Sequence, residues 1–422
     1  MELKKYKLAD IGKVITGKTP STSIAENYAW GTIPFYTPED VAKGLGMMGR
    51  NSRFISKTGF EEIASNTISG ESVLVGCIGS DMGNVAYSNI TCATNQQINA
   101  ITQFKNGIDP LYVYYLLSTM KSYFQKIAGS TTTPILPKSV FEEIEIHLPD
   151  MKKQKDVVSI LYALDRKIEL NKRINDNLEA MAKQLYDYWF VQFDFPNEEG
   201  KPYKSSGGAM VWNEKLKHEI PQKWSDCVLG DYIGRITNGL NPRKNFVLGN
   251  GNNYYVTIRS LVGTTIDWNN CDRCDDEALS KINSRSQLQI GDIIFSAIGT
   301  IGRTYYILEE PTNWNISETS FTLRAKENVP NDFFYGMLRS NEIQIKADKA
   351  AMGSTLRCLV MDSLCSLQYI EIPSYMMKLF AAKVSPLYRQ IHRNNKEIAE
   401  LTKQRDELLP LLMNGQASVN SD

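Results

Sequence analysis

An internal repeat constrains the fold of this chain more than any other feature of its sequence. The opening segment from Leu8 to Pro20 returns between Leu229 and Pro242, with its aspartate, both glycines and its proline in the same order. Further matched segments follow in order along the chain: 70–79 with 291–299, 129–131 with 353–355, and 144–149 with 368–373. Self-similarity of this kind predicts two copies of one domain.

A long helical pattern follows each copy. Apolar residues and asparagines recur at alternating steps of four and three, the spacing of a coiled-coil seam. The first series contains Leu164, Ile168, Asn171, Asn175, Leu178, Ala182, Leu185 and Trp189. The second contains Leu387, Ile391, Asn394, Ile398, Leu401, Arg405, Leu408 and Leu412. The two series have the same heptad phase, and each places an asparagine at the same step, Asn171 and Asn394, so we expect the helices to pair with a fixed register.

This order predicts five segments along the chain. They are a globular unit over 1–150, a helix over 151–190, a connector over 191–226, a second unit over 227–373, and a C-terminal helix region over 374–422. Short alternating runs rich in Gly, Thr, Tyr and Ile indicate an α/β or α+β fold for each unit. If the second helix returns along the first, the pair is an antiparallel coiled coil that separates the units with pseudo-twofold symmetry. We expect the connector to be irregular but partly docked through Trp212 and Trp224.

Composition narrows the function classes. The chain of 422 residues is 42% hydrophobic and 22% charged, which is typical of a globular protein and excludes extended disorder. Its 47 basic and 47 acidic residues give zero net charge, so any nucleic-acid binding must come from local patches. No apolar stretch approaches a membrane span, and the seven scattered cysteines do not suggest a disulfide framework. We therefore expect a cytoplasmic protein with reduced thiols and no membrane partner.

Residues Gly12 to Thr19 satisfy the phosphate-loop pattern letter for letter, which opens the alternative of a P-loop NTPase. Pro20 opposes it, because the residue before a proline disfavours the helical conformation that Thr19 would need. The repeat opposes it further, since Leu240 and Asn241 stand where Lys18 and Thr19 stand in the first copy. The glycine pair is therefore interpreted as structural.

No other group of residues has catalytic spacing. Cys271 and Cys274 have metal or redox spacing but lack a second cysteine pair, so an acidic surface loop is the preferred interpretation. The three histidines form no metal or triad pattern, and neither a cofactor-binding glycine loop nor an Asn-Pro-Pro-aromatic motif is present. We expect no catalytic residues, no metal site and no cofactor in this chain.

Polar and basic residues in or next to loops remain as candidates for reading base edges and phosphates. In the first unit the candidates are Lys18, Thr19, Thr37, Arg50, Arg53, Asn84, Gln96, Ser130 and Thr131. In the second they are Arg243, Lys244, Thr257, Arg259, Arg303, Ser354, Thr355 and Arg357. Their occurrence as a set on two matching units favours DNA binding over a caliper-shaped protein scaffold without DNA function.

The whole chain resembles the specificity subunit of a type I restriction-modification system. The most specific part is the end of the first helix and the connector, Leu185-Tyr-Asp-Tyr-Trp-Phe190, then Phe193-Asp-Phe-Pro196, then Gly200 to Gly208 and Ile220 to Trp224. The unit openings that end in Gly17-Lys-Thr-Pro20 and Gly239-Leu-Asn-Pro242 also resemble the starts of that family's target recognition domains.

The resemblance implies a function for each segment. Each unit would read one half of a bipartite double-stranded DNA site, and the helices would fix the unread spacer and dock two modification subunits. Those subunits would bind S-adenosylmethionine and methylate adenine N6 after flipping the base, and a motor-nuclease subunit would use ATP and magnesium. This chain would be the non-catalytic recognition subunit.

Overall fold

The computed structural model describes residues 3–43, 53–129 and 134–416, apart from the side chains of Lys43, Ser80 and Lys244. Two compact units account for the chain: Met1–Glu169 with Ile398–Asp422, and Leu170–Glu397. Each unit combines one globular domain with a segment of both long helices. The helices therefore contribute to the folding of both units.

The described residues of the first unit form nine strands and six short helices. Its strands are β1 (Lys4–Lys7), β2 (Lys13–Thr16), β3 (Ile33–Tyr36), β4 (Phe54–Ile55), β5 (Ser72–Gly76), β6 (Val85–Ser88), β7 (Ala93–Thr94), β8 (Ile98–Thr102) and β9 (Glu145–Leu148). Its helices are α1 (Leu8–Ile11), α2 (Pro38–Lys43), α3 (Lys57–Glu62), α4 (Pro110–Ser118), α5 (Lys121–Ile127) and α6 (Lys138–Glu142), followed by the long helix α7 (Met151–Tyr186).

The strands of the first unit form three sheets. The largest has the order β2-β8-β5-β6 with antiparallel neighbours, and a smaller one has the order β4-β3-β7, in which β3 and β7 are parallel. Strands β1 and β9 pair antiparallel, so the two ends of the domain meet. Strand β5 is buried at every residue, because the sheet is covered on both faces: Val73 and Val75 enter one core cluster and Leu74 enters another.

The second unit contains the remaining elements. Its strands are β10 (Met210–Asn213), β11 (His218–Pro221), β12 (Ser225–Val228), β13 (Ile233–Asn238), β14 (Asn253–Val256), β15 (Leu261–Val262), β16 (Thr265–Ile266), β17 (Asp272–Cys274), β18 (Ile293–Ser296), β19 (Thr304–Tyr306), β20 (Trp314–Ile316), β21 (Ser320–Ala325) and β22 (Gln368–Glu371). Its helices are α8 (Asp276–Ser286), α9 (Asn331–Leu338), α10 (Asn341–Ala350), α11 (Met361–Cys365) and the long helix α12 (Ser374–Met413).

The sheets of the second unit repeat those of the first. The order β13-β21-β18-β19 matches β2-β8-β5-β6, and β17-β14-β20 matches β4-β3-β7 with the same parallel pair. Strands β12 and β22 pair antiparallel as β1 and β9 do. The duplication inferred from the sequence is therefore a duplication of topology. The second unit also contains the hairpins β10-β11 and β15-β16.

The two long helices run antiparallel within the second unit. Asn394 of α12 donates to Asn175 of α7 over 2.8 Å, whereas Tyr186, further along α7, packs against Phe380, nearer the start of α12. Among the residues of the two predicted seam series, the buried ones are Ile168, Asn171, Asn175, Ala182, Trp189, Ile391, Asn394, Leu401 and Leu412. Leu164, Leu178, Leu185, Leu387, Ile398 and Leu408 are half-buried.

The seam of the first unit contains a buried acidic residue, Asp165, that lies outside the predicted heptad series. Asp165 is 5% exposed, deeper than its neighbour Leu164, and forms an ion pair with Arg405 of α12 at 2.9 Å. Arg405 occupies a predicted seam position. A charged residue fits there because the opposite helix supplies its counter-charge.

The connector is more ordered than predicted. Helix α7 ends in one π-helical turn over Asp187–Val191, and the hairpin β10-β11 follows. Trp224 is buried and stacks on Phe195 with ring centroids 4.9 Å apart, as expected of a docked connector. Trp212 is 55% exposed, so the expectation that it docks the connector is wrong. Its position on a two-stranded hairpin, with its indole N–H bonded to Glu214, explains the exposure.

Candidate nucleic-acid interface

In the first unit, several predicted residues lie where strands of two sheets end. A side chain at Gly17, directly after β2, would overlap the carbonyl oxygen of Asn95, so only glycine fits there. This close approach places the following loop beside the segment after β7, and the Thr19 hydroxyl donates to Oε1 of Gln96 over 2.9 Å. Lys18, which lies between Gly17 and Thr19 in the chain, is exposed.

The second unit builds the same contact with different side chains. A side chain at Gly239 would overlap the carbonyl oxygen of Ile316. Two residues on, Asn241 donates to Oε1 of Glu318 over 2.8 Å, the counterpart of the bond from Thr19 to Gln96. Tyr255 donates to the other oxygen of Glu318 over 2.9 Å. We call this edge of each unit the loop edge: 17–19 with 94–97, and 239–243 with 316–319.

A tight turn between two strands of the large sheet borders each loop edge. Cys77, at the start of the first turn, donates its backbone N–H to Gln97, and Ala297, in the second, donates to Thr319. Asn84 and Arg303 take equivalent places, because each accepts a backbone hydrogen bond at 2.9 Å from the last residue of the preceding strand. The turns therefore bring these two predicted residues to matching positions.

The side chain of Arg303 also holds a second segment of the same unit. Its Nη1 donates to the backbone oxygens of Ile258 and Leu261, both at 3.0 Å. That segment carries the exposed Arg259, and Thr257, which is half-buried, precedes it. Arg303 thus has a positioning role that sequence reasoning did not assign.

Other exposed basic side chains complete the set. Arg243 follows Asn241, whose Oδ1 accepts its backbone N–H at 3.0 Å and so caps the short helical turn Pro242–Lys244. Arg53 is exposed, and its carbonyl oxygen accepts from Phe35 of β3. Guanidinium groups such as these are suited to binding the bases and phosphates of DNA.

Further predicted residues are also bonded within the protein, beginning with Asn84, whose Oδ1 accepts from Lys121 over 2.8 Å. The Thr37 hydroxyl and backbone N–H both donate to Asp40 at the start of α2, at 2.8 and 2.7 Å. Arg357 donates to the Asp348 carboxylate over 3.0 Å. Ser354 and Thr355 lie on an exposed bend. Contacts of these residues with DNA stay predictions, and for Thr37 and Arg357 such contacts compete with an internal bond. Arg50, Ser130 and Thr131 lie outside the described residues, as does the Lys244 side chain.

The phosphate-loop pattern does not form a phosphate loop. Strand β2 occupies Lys13–Thr16, the middle of the pattern, and pairs with β8. Residues 17–21 after it are irregular chain, where a phosphate loop would open a helix. The middle of the pattern is therefore an extended strand paired to β8, which is not the loop that would wrap around a phosphate.

The cysteine pair also has a structural explanation. Residues Asp272–Cys274 form β17, which replaces the expected surface loop with a strand paired to β14. Cys271 packs in the cluster around Val256, and Cys274 packs in another around Ile282, so the two thiols are directed to different places. Burial raises the pKa of both thiols, which opposes the thiolate form that zinc binds. In the described ranges of the chain, no three His, Cys, Asp or Glu side chains group to hold a metal ion.

Glu318 and Tyr255 are the functional candidates that sequence reasoning missed. Burial, followed by the neighbouring Glu318 carboxylate, raises the pKa of Tyr255, so its hydroxyl stays protonated and donates. One feature of the sequence indicates Glu318. In the repeat it aligns with Gln96, which is a predicted DNA-binding residue of the first unit.

Two copies of one mixed domain, each with a polar loop edge and a segment of the paired helices, define an internally duplicated recognition protein. Comparison with known proteins agrees. Residues 1–180 match the family described as type I restriction modification DNA specificity domain. The chain is 30% identical to the type I restriction enzyme MjaIX specificity subunit of Methanocaldococcus jannaschii, over 98% of this chain and 93% of that protein. It therefore belongs to the family of type I restriction enzyme specificity subunits.

Two further similarities extend this result. The chain is 23% identical to the HindI specificity subunit of Haemophilus influenzae over 74% of this chain and 78% of that protein. The crystal structure of the S subunit of a type I restriction-modification system from M. genitalium has the same fold, with a TM-score of 0.59 at 15% identity, covering 98% and 96% of the two chains. Members of this family are the non-catalytic specificity subunits of their systems. Within the described residues, no helix is long and apolar enough to cross a membrane.

Proposed function

We propose that each globular unit reads one half of a bipartite site on double-stranded DNA through its loop edge. The observation that carries this proposal is the duplication of the edge: the bond from Thr19 to Gln96 has its counterpart between Asn241 and Glu318. The arrangement of the loop edge is the same in both units while the side chains differ. This suits two domains that read different DNA sequences in a common geometry. Phosphate contacts from Lys18, Arg243 and Arg259 would fix the position of the protein along the DNA.

The paired helices would set the spacer and dock two modification subunits. Helix α7 has a second apolar stripe at heptad spacing, and its members Leu170 and Met181 are 57% and 53% exposed, with Ile174 between them. An exposed stripe of this kind supports packing against further helices. Adding one heptad to both helices would lengthen the spacer, since seven residues extend a helix by about 10 Å.

The assembled complex would methylate adenine N6, and a motor-nuclease subunit would add restriction. S-adenosylmethionine, ATP and magnesium would be bound by those partner subunits. The strand inside the phosphate-loop pattern supports this division of roles, because that segment does not form an ATP-binding loop.

Single-molecule sequencing of chromosomal DNA tests the proposal. Cells with the gene and its partner genes are expected to carry N6-methyladenine in a split motif, two short defined halves around a fixed unread spacer. The motif should disappear when the gene is deleted and return on complementation. Methylation that is unchanged by deletion, while the partner subunits are present, would contradict the proposal.

Arg303→Ala provides a residue-level test. We expect it to weaken or relax recognition of one half-site by about 1 to 3 kcal/mol and to spare the other half. Competition binding with duplexes mutated in either half measures this directly. Unchanged affinity and unchanged half-site preference would remove Arg303 from the interface.

A further inference from the structure

The small hairpin β15-β16 links the helix seam of the second unit to its loop edge. It is closed by a two-residue loop, Gly263-Thr264, between Val262 and Thr265, which face each other in register. Gly263 has a φ of +57°, as expected for the first loop residue of a type II′ turn. Such a turn is tightly defined, so the Thr264 side chain projects from a fixed point.

The tip of this hairpin is bonded to both long helices. The Thr264 hydroxyl donates to Oε1 of Glu179 on α7 over 3.1 Å and accepts from Nδ2 of Asn395 on α12 over 3.3 Å. Glu179 is also paired with Arg339, at the end of α9, over 2.7 Å. One hydroxyl therefore joins the hairpin to both helices, and its glutamate partner extends the link to the domain core.

These bonds continue into the buried seam. Asn395 accepts from Asn175 over 2.8 Å, and Asn175 in turn accepts from Asn394 over 2.8 Å. Asn175 and Asn394 are 6% and 4% exposed. Buried amides left without partners are costly, so this chain of bonds favours a single arrangement.

The base of the hairpin is bonded to Arg303, in the turn that borders the loop edge. Leu261, the first residue of β15, and Ile258 before it both accept from Arg303 at 3.0 Å. The exposed Arg259 lies between these two residues. The segment 258–266 therefore has one end in the helix seam and the other at the residues proposed to read DNA.

We propose that the segment 258–266 is a strut that fixes the orientation of the second loop edge on its helix segments, with Thr264 and Glu179 as positioning residues. The inference rests on the proposed function, because orientation matters only if the edge reads a half-site at a set distance from the other. Loss of the Thr264 hydroxyl removes both bonds that join the hairpin tip to the helices. The edge then samples more orientations, and spacers of neighbouring length are accepted more readily.

The test uses the specificity subunit assembled with its modification subunits and three duplexes. One carries the split motif found by sequencing, and the other two have a spacer one base pair longer or shorter. Thr264→Val is compared with wild type, with Thr264→Ser, which keeps the hydroxyl, and with Thr265→Val. Thr265 is the exposed neighbour in β16 and provides the matched control. Hydrogen–deuterium exchange over 258–266 is measured on the same samples.

We expect Thr264→Val to lose about three- to ten-fold of the preference for the native spacer, the range that corresponds to one or two hydrogen bonds. Exchange over 258–266 should become faster, while Thr264→Ser and Thr265→Val resemble wild type. If Thr264→Val does not fold, Glu179→Gln, which weakens the bonds to Thr264 and Arg339, is expected to give the same two changes.

Two results overturn the inference. One is a Thr264→Val protein with the same spacer preference as Thr265→Val, even if exchange is faster. The other is a loss of preference that Thr264→Ser shares, because the hydroxyl would then not be the cause. A wild-type complex that shows no sequence-selective binding contradicts the proposed function instead, so the two failures are distinguishable.

Discussion

The buried ion pair between the long helices of the first unit gives the sharpest stability prediction. Asp165 accepts from Arg405 over 2.9 Å and from the Tyr115 hydroxyl over 2.8 Å. The two charged side chains are 5% and 14% exposed. Arg405→Met keeps most of the apolar stem and removes the charge, which leaves the carboxylate with Tyr115 as its remaining partner in this group.

Removing one partner of a buried pair costs about 3 to 5 kcal/mol, because the other charge stays desolvated without compensation. Replacing both partners avoids the unpaired charge but leaves the Tyr115 hydroxyl without its acceptor, so Asp165→Leu combined with Arg405→Met should recover only part of the loss. Tyr115→Phe removes one hydrogen bond to a charged group and should cost about 1.5 to 3 kcal/mol. The predicted order of stability is therefore wild type highest, then Tyr115→Phe and the double variant, with Arg405→Met lowest.

Urea unfolding of the full chain, followed by far-UV circular dichroism, measures these differences. Tryptophan fluorescence serves as a second signal for the second unit, because five of the six tryptophans lie between residues 189 and 314 and Trp30 is 97% exposed. Lys403→Met, at an exposed position of the same helix, is the matched control and should change little. An Arg405→Met midpoint equal to that of Lys403→Met, or a double variant less stable than Arg405→Met, would refute the reasoning.

Three further predictions concern other parts of the chain. Gly239→Ala should reduce recognition of one half-site more than ten-fold in competition binding, because a methyl group would overlap a backbone carbonyl and displace the loop edge; normal recognition would show that the loop adapts. Lys18→Ala should lower DNA affinity and reduce its salt dependence by about one ion, whereas calorimetry should detect no ATP binding in either protein; lysine-dependent ATP binding would restore the NTPase alternative. Hydrogen bonds from the Ser205 hydroxyl and backbone N–H lower the pKa of Asp194, so its contribution to stability is present above the ordinary carboxyl pKa and is lost as the pH falls through the lowered value. Asp194→Asn should therefore lower the melting temperature at pH 7 and flatten its fall below about pH 4; an unchanged acid profile would contradict this assignment.

The sequence predicted the architecture well because the relevant signals are local or repeated. Gly70 and Gly291 adopt φ values of +75° and +95° before the buried strands β5 and β18, as a turn feeding a strand requires. The shared heptad phase placed Asn171 and Asn394 in the seam, and both are buried. The placement of these residues depends on their spacing along the chain, and that spacing can be read from a single sequence.

Side-chain partners could not be predicted in the same way. The pairing of Asp165 with Arg405, the bond from Asn241 to Glu318 and the hold of Arg303 on Ile258 all join residues distant in sequence. Each depends on which loops meet in three dimensions. Exposure of Trp212 was mispredicted for a related reason, since a tryptophan in a two-stranded hairpin has no second layer to cover it.

The antiparallel helix pair has a consequence for synthesis of the chain. Asn175 of α7 leaves the ribosome 219 residues before its partner Asn394, which at about 5 to 20 residues per second is a delay of about 10 to 40 s. During that time the seam of α7 is translated but uncovered. The buried asparagines then have a second role during synthesis, because a polar seam position discourages pairing with helices that offer no matching amide. Nascent chains stalled near residue 300 should be cleaved by protease within α7, and full-length chains should resist; protection of the stalled chains would mean that another segment covers the seam first.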